Sequence, residues 1–227
     1  MSLRSPWLPR ALLGVGLAAL IATVISIAVG EGGPDAPPNE GFNDVQRLFG
    51  GIEQEGAVLG AADAPVLIEV FNDVNCAACA DYQVAEIDPL VEEYVRSDRA
   101  RLEFSHFSIG PRLTTLGAFA ATAAGVQGRQ WQYLGLLMRN LDAAGPTVDE
   151  EFLTRVAEIV PELDRDQWER DRTAERVRER VEADADAAVE LRLPPQPAVI
   201  VTGPGGERLL QGSPTSEEIQ SAVDEVG

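Results

Sequence analysis

The distribution of apolar and polar positions along the chain predicts a sheet whose strands are separated by a long helical block. Residues 66–71 are almost continuously apolar, which is typical of a buried strand in a parallel arrangement. Residues 101–107 alternate between polar and apolar positions, as a strand with one covered face does. Two more strands are predicted at residues 198–202 and 208–211, on either side of a glycine-rich turn.

Apolar residues that recur three and four positions apart predict helices between and after these strands. The order along the chain is therefore β–α–β, a block of helices, and β–β–α. The predicted helices occupy residues 76–96, with a kink near Pro89, and residues 113–125, 129–140, 149–160, 165–191 and 215–226.

The N-terminal residues predict a membrane anchor. Residues 11–30 carry no charge, and Arg4 and Arg10 precede them. The run matches the length of about 20 residues that spans a bilayer, and its flanking charges place residues 1–10 in the cytoplasm and the rest of the chain outside. A cleaved signal peptide is the alternative, although the apolar core of such peptides is shorter, about 7–15 residues.

Glycine and proline in residues 31–56 predict a flexible linker. Within this segment Phe42, Val45 and Phe49 can form the apolar side of one short helix or turn. Residues 57–227 remain, and about 170 residues are enough for one domain with its own core.

The chain is strongly acidic, with a formal charge of −19 from 37 acidic and 18 basic residues, and every basic residue is an arginine. Binding to nucleic acid requires a basic surface, so this composition argues against that function. We interpret the acidic residues as a solvated surface.

Cys76 and Cys79 are the only cysteines, and they lie between a predicted strand and a predicted helix. Residues three apart on a helix share one face, so the two sulfurs can close a disulfide. A cysteine at a helix N-terminus has its thiolate stabilised by free N–H groups, and Asn75 is the predicted N-cap. This pattern is typical of a thioredoxin-like redox site.

The alternatives for the cysteine pair are a structural disulfide or half of a metal site. A structural zinc site needs four ligands, whereas this chain has no second cysteine pair and a single histidine. A structural bridge over so short a loop constrains the unfolded chain very little. Redox chemistry is therefore favoured, and it requires no metal and no organic cofactor.

Four stretches of the domain form a recognisable set: GAADAPV at residues 60–66, FNDVNCAAC at 71–79, QGRQW at 127–131 and QPAVIV at 196–201. On these motifs the chain resembles the DsbA-like family of thiol:disulfide oxidoreductases. That resemblance implies an α/β thioredoxin-like fold over residues 57–227, with a helical insertion at about residues 112–192. The single transmembrane helix predicted from the apolar run at residues 11–30 precedes this domain.

The resemblance also implies a role for individual residues. Cys76 would be the exposed nucleophile and Cys79 the buried resolving thiol. Pro197 would be a cis-proline that faces the disulfide, and Gln196 would pair with a bound peptide as an added strand.

Three positions depart from the family pattern. Ala77 and Ala78 separate the cysteines, so no imidazole between them stabilises the Cys76 thiolate, and we expect its pKa to be lowered less. Val70 occupies the position where relatives often keep a buried carboxylate, and strand alternation turns Glu69 to the opposite face. Proton transfer to Cys79 from a buried acid is therefore not expected.

Two other polar residues lie near the motif in sequence. His106 ends the second predicted strand and is interpreted as a packed or surface residue rather than a catalyst. Asp73 is expected to cap or orient the loop. It is not expected to activate a cysteine, because a carboxylate close to a thiol raises the pKa of that thiol.

These features together predict a membrane-tethered, extracytoplasmic thiol:disulfide oxidoreductase, acting as an oxidase on exported proteins. Such an enzyme needs a membrane redox partner that reoxidises it. The alternatives are a reductase or isomerase of the same fold, and a non-catalytic module that binds exported chains or carries Cu(I).

Overall fold

The computed structural model describes residues 38–108, 115–144 and 148–227. The predicted anchor at residues 11–30 lies outside these ranges, as do residues 1–10 and residues 31–37 of the predicted linker. Among the helices within the described ranges, none is both long and apolar enough to cross a membrane.

Six strands form one mixed sheet in the order β1-β2-β4-β3-β5-β6. The central strand β3 runs parallel to β4 and antiparallel to β5. The four strands predicted from sequence are confirmed as β3 to β6, with ends that differ by one or two residues. The strands are β1 (Gln54–Glu55), β2 (Val58–Leu59), β3 (Val66–Asn72), β4 (Ala100–His106), β5 (Ala198–Gly203) and β6 (Gly206–Gln211).

The two faces of the sheet are set by the alternation along β3 and β4. The register pairs Val70 with Phe104 and Asn72 with His106, so these four side chains share one face, called the redox face below. The intervening residues, Glu69 with Glu103 and Phe71 with Ser105, lie on the other face.

Nine α-helices are present within the described ranges. Five of them, α4 to α8, lie between β4 and β5, which confirms the predicted helical insertion. The helices are α1 (Phe42–Phe49), α2 (Ala77–Tyr82), α3 (Asp88–Leu90), α4 (Thr115–Gly125), α5 (Gln130–Arg139), α6 (Glu150–Ile159), α7 (Arg165–Asp171), α8 (Glu175–Glu190) and α9 (Ser216–Val226).

The charged segment at residues 165–191 is helical as predicted, and it forms two helices, α7 and α8. Ala174, which precedes α8, has an extended backbone with ψ of 144°. The change of direction allows Trp168 of α7 and Val177 of α8 both to be buried, each with 1% exposure. A single straight helix would place these residues, nine positions apart, on different parts of its surface.

The segment after the cysteines is helical as predicted but irregular. Two π-helical turns, Gln83–Ile87 and Val91–Val95, flank the short helix α3. Pro89 lies in the first turn of α3, where its missing N–H costs little. The buried Asp88 forms an ion pair with Arg139 of α5, which fixes this segment to the insertion.

Residues 42–56 are not a flexible linker, so the prediction from composition was wrong for this part. Helix α1 buries Val45 and Phe49 in the main core. Gly135 of α5 permits the contact, since a Cβ there would lie 2.9 Å from the Phe49 ring. The guanidinium of Arg96 donates to the carbonyl oxygens of Arg47 and Leu48, at 2.6 and 3.0 Å. The apolar stripe of α1 therefore belongs to the domain.

Candidate active site at Cys76 and Cys79

The cysteine pair lies where β3 ends and α2 begins. Cys76 and Cys79 form a disulfide, with their Cα atoms 5.1 Å apart. Cys79 is buried, with 2% exposure, whereas Cys76 is only half-buried. The pair therefore presents one accessible sulfur and one protected sulfur, which is the exposure that the resemblance implies, while the roles of Cys76 as nucleophile and Cys79 as resolving thiol stay a prediction.

The helix begins at Cys76 itself, so the prediction that Asn75 is the N-cap was wrong. The N–H of Cys79 donates to Cys76 Sγ at 3.2 Å, and the N–H of Ala80 donates to the Cys76 carbonyl at 2.9 Å. Asn75 instead donates its backbone N–H to Asp73 Oδ1 at 2.9 Å. A negative charge on Cys76 Sγ would strengthen the bond from Cys79, which is how a helix N-terminus favours a thiolate.

The buried half of the pair is held by Asn72, a residue that the sequence reasoning did not single out. Its side-chain Nδ2 donates to the Cys79 carbonyl at 3.1 Å, and its Oδ1 accepts from the Asp73 N–H at 3.0 Å. Asn72 has 0% exposure. The signal was present in the alternation, because Asn72 follows Ile68 and Val70 at a spacing of two and so had to face inward.

Asp73 orients the loop, as predicted. Its carboxylate accepts the Asn75 N–H, and its carbonyl accepts the Cys76 N–H at 3.4 Å. Gly117 of α4 lies against the same loop, since a Cβ there would be 2.6 Å from Asn75 Oδ1. The insertion therefore contacts the redox loop directly.

Pro197 is buried beside the site, but its peptide bond is trans, so the prediction of a cis-proline was wrong. The register pairs Ala198 with Phe71, which places Pro197 next to the end of β3. Around it, Gln196 donates its N–H to the Pro194 carbonyl at 2.7 Å, and Ser213 donates its N–H to the Pro197 carbonyl at 2.8 Å.

Gln196 is exposed, as a residue that pairs with a bound peptide would be. Its N–H is already donated to Pro194. Pairing with a peptide through this N–H would require the turn at Pro194 to open first, so that role of Gln196 stays a prediction.

Val70 and Glu69 lie on opposite faces of the sheet, as predicted. Val70 is fully buried on the redox face. Glu69 accepts a hydrogen bond from Ser105 Oγ at 2.6 Å on the other face. Burial raises the pKa of Glu69, and the bond from Ser105 partly opposes this. This carboxyl is separated from the cysteine pair by the sheet.

A polar network on that second face was not predicted. Arg180 of α8 donates to Glu103 Oε1 at 2.9 Å and lies 2.7 Å from Asp184 Oδ1. Asp184 Oδ2 accepts the backbone N–H of His106 at 2.9 Å. Burial raises the pKa of Asp184 to about 6, against the influence of Arg180. These residues attach α8 to the end of β4.

His106 is packed, in agreement with the prediction. It has 3% exposure, and neither ring nitrogen has a hydrogen-bond partner. Burial lowers the pKa of His106 to about 4, and the Asp73 carboxylate opposes this shift. The ring is therefore neutral near pH 7 while the disulfide is formed.

Comparisons with known proteins show the family of the chain. The family model described as "Thioredoxin" matches residues 53–225. A Bacillus cereus protein named "Probable disulfide bond formation protein D" is 28% identical over 170 residues, which cover 73% of this chain and 76% of that protein.

Solved structures share the architecture. A thioredoxin-like oxidoreductase from Silicibacter pomeroyi is 28% identical with a TM-score of 0.61, covering 74% of this chain and 89% of that one. Oxidised BdbD from Bacillus subtilis is 16% identical with a TM-score of 0.62, covering 77% and 96%, and at that identity it supports the fold alone. The chain has an accessible Cys76, a protected Cys79 and a block of helices inserted between β4 and β5. It belongs to the thioredoxin family, as a DsbA-like thiol:disulfide oxidoreductase.

Proposed function

We propose that the protein is a membrane-tethered, extracytoplasmic oxidase that introduces disulfides into exported proteins. The uncharged run at residues 11–30, with arginines before it, supports the tether and its orientation. The Bacillus cereus relative, whose name refers to disulfide bond formation, supports the direction of the reaction.

The observation that carries the proposal is the unequal exposure of the two sulfurs. Cys79 is almost completely buried, whereas Cys76 is half-buried and begins a helix. A substrate thiolate can therefore reach only the Cys76 sulfur of the disulfide. Ala77, the residue after Cys76, lines an open cavity of about 650 Å³ that runs along α2.

The reaction follows from thiol–disulfide exchange. A substrate thiolate attacks Cys76 Sγ, the bond between the two cysteines breaks, and Cys79 leaves as the reduced thiol. A second substrate thiolate then attacks the substrate sulfur of the mixed disulfide and releases Cys76. The substrate has lost two electrons and gained a disulfide, and the pair Cys76/Cys79 has gained those two electrons. A membrane redox partner would remove them.

The direction is tested by the reduction potential of the cysteine pair, measured on the full chain in glutathione buffers. A value near about −120 mV is expected, as for a strong oxidant, whereas a value near about −180 mV is that of an isomerase and would favour that alternative. A value near about −270 mV would resemble thioredoxin. It would replace the oxidase proposal with a reductase that receives electrons from the membrane.

The exchange itself is tested by a trapping experiment in cells. Cys79→Ser should accumulate mixed disulfides between Cys76 and exported proteins, whereas Cys76→Ser should form none. Stoichiometric retention of copper, without any mixed disulfide, would favour the carrier of Cu(I) instead.

The tether needs a separate test. The full chain should fractionate with membranes and be digested by protease added from outside, whereas a chain that begins at residue 31 should not remain in the membrane. Release of the mature protein after cleavage near residue 30 would instead support a signal peptide.

A further inference from the structure

His106 lies on the same face of the sheet as the residue that holds the redox pair. The register pairs His106 with Asn72, and Asn72 Nδ2 donates to the Cys79 carbonyl. Because cross-strand partners point to the same side of a sheet, the imidazole is on the same face as the Asn72 side chain that bonds Cys79. Residues two positions earlier on these strands, Val70 and Phe104, are both buried and apolar.

The imidazole has no polar partner of its own. The backbone of His106 is fixed by Asp184, yet both Nδ1 and Nε2 are buried without a hydrogen bond. Most buried polar atoms in proteins are hydrogen-bonded, and an exception requires an explanation. A purely structural residue at this position could be apolar, like its neighbours on the redox face.

The charged groups around His106 come from two elements. Asp73, in the loop after β3, raises the pKa of the ring, while burial lowers it to about 4. On the other side of the sheet, α8 supplies the Asp184 carboxylate, bound to the His106 N–H and accompanied by Arg180. The cysteine pair carries no charge while it is a disulfide. Reduction would change this balance, because a thiolate nearby favours the charged form of an imidazole.

We propose that His106 is a proton-binding site coupled to the redox state of Cys76 and Cys79, neutral while the disulfide is formed and protonated when the pair is reduced. The inference requires only thiol–disulfide exchange at this pair. It does not depend on the membrane tether, on exported substrates or on the direction of the reaction.

The protons balance as follows. A substrate dithiol gives two electrons to the disulfide and releases two protons as its own disulfide forms. Cys79 takes one of these protons and becomes a thiol. His106 takes the second and becomes an imidazolium, while Cys76 remains a thiolate. His106 acts through its charge rather than by touching the substrate, so it is a positioning residue for the thiolate.

The Asp73 carboxylate is close enough to raise the pKa of His106, but no side chain between the cysteines supplies a cation. Ala77 and Ala78 offer no cation between the cysteines, and Val70 offers no carboxyl on the redox face. Linkage requires the effect to be mutual: if the thiolate makes His106 easier to protonate, the protonated ring makes Cys76 easier to ionise by the same factor.

The test uses the fact that His106 is the only histidine in the chain. Its imidazole signals in a proton NMR spectrum of the full chain therefore need no assignment against other histidines. We expect the titration midpoint of the ring to rise from about 4 to about 7 or above when the disulfide is reduced with a small dithiol, roughly a thousandfold change in proton affinity. A smaller rise would leave the ring neutral at pH 7 and would contradict the proposal. The same midpoint in both redox states would overturn the proposal.

Two variants separate the thiolate from other effects of reduction. In Cys76→Ser the reduced site has no thiolate at position 76, so the midpoint should stay at the oxidised value. A midpoint that still rises would also overturn the proposal. In His106→Gln the ionisation of Cys76, followed by thiolate absorbance, should move to higher pH by the factor measured for the ring. If this variant does not fold, the titrations of the other two chains still decide the question, and neither depends on the tests of the oxidase function.

Discussion

The two faces of the sheet differ in the kind of side chain that they bury. On the redox face the residues under α2 are apolar up to Val70 and Phe104, and polar groups begin only at Asn72 and His106. On the other face Glu69 and Glu103 are partly buried next to Ser105 and Arg180. Carboxylates are thus retained on the face where cations and hydroxyls accompany them.

The difference shows where the electrostatics of the redox pair come from. A buried acid beside the cysteines would disfavour the thiolate, and on this chain the acids of β3 and β4 lie behind the sheet. Groups on the redox face that can influence the sulfurs include backbone N–H donors at the start of α2, Asp73 in the loop and the neutral ring of His106, and α2 itself carries Asp81. Each prediction below alters one face and compares it with the other.

The largest effect is expected from removing either sulfur on the redox face. Cys76→Ser and Cys79→Ser should each lower the rate of disulfide transfer to a dithiol peptide by at least about a thousandfold, because exchange needs both sulfurs. The rate is measured with the oxidised chain and a fluorescent peptide. Substantial turnover by either variant would show that the chemistry lies elsewhere.

A new carboxyl on the redox face should be the most damaging change to stability. Val70→Glu is expected to lower the free energy of unfolding by about 3–5 kcal/mol, since the site offers no cation to a buried carboxylate. The matched control is Leu67→Glu, which places the same group on the opposite face, next to Arg101 in the register. Denaturant titration of both variants measures the difference. Equal losses would mean that the two faces do not differ in this respect.

Breaking the network on the second face should have a smaller effect. Arg180→Met leaves Asp184 and Glu103 without their cation, and we expect a loss of about 2 kcal/mol. Arg178 on the same helix also joins two carboxylates, Glu175 and Glu182, but it is exposed. Arg178→Met should therefore cost at most about 0.5 kcal/mol. Similar losses for the two variants would contradict the idea that burial gives the network its strength.

The smallest effect on stability is expected from a change of pH. His106 and Asp184, one on each face, bind protons with opposite effects on the free energy of unfolding. The pKa of His106 is lowered from 6.5 to about 4 in the folded chain, so the unfolded chain binds this proton first as the pH falls, and stability drops. The pKa of Asp184 is raised from 3.8 to about 6, so here the folded chain binds first, and stability rises over nearly the same range. We expect the stability contributed by this pair to change by no more than about 1 kcal/mol between pH 6.5 and 4.

Removing one of these two titrating residues should reveal the effect of the other on the pH dependence of stability. His106→Gln should become more stable relative to the parent chain as the pH falls from 7 to 5, which urea titrations at the two values would measure. A difference between the two chains that does not vary with pH would mean that the folded and unfolded chains bind this proton equally.

The sequence predicted the elements that depend on residues close together in the chain, and it missed features that depend on contacts between distant residues. The strands β3 and β4 follow from their apolar positions, and the cysteine pair follows from its spacing. Helix α1 was taken for part of a linker because its burial depends on Gly135, which lies about 90 residues further along. The cis bond expected at Pro197 came from the resemblance alone, and the structure has a trans bond there.

The position of β3 at the centre of the sheet also has a consequence for the time at which the enzyme becomes active. Its hydrogen bonds are complete only when β5 pairs with it, and β5 ends at Gly203. During synthesis the cysteines leave the ribosome well before this partner strand exists. The unequal protection of the two sulfurs therefore arises late, when nearly the whole chain has been made. Until then both thiols are open to reaction, and the nascent enzyme is itself a potential substrate for the chemistry it will later perform.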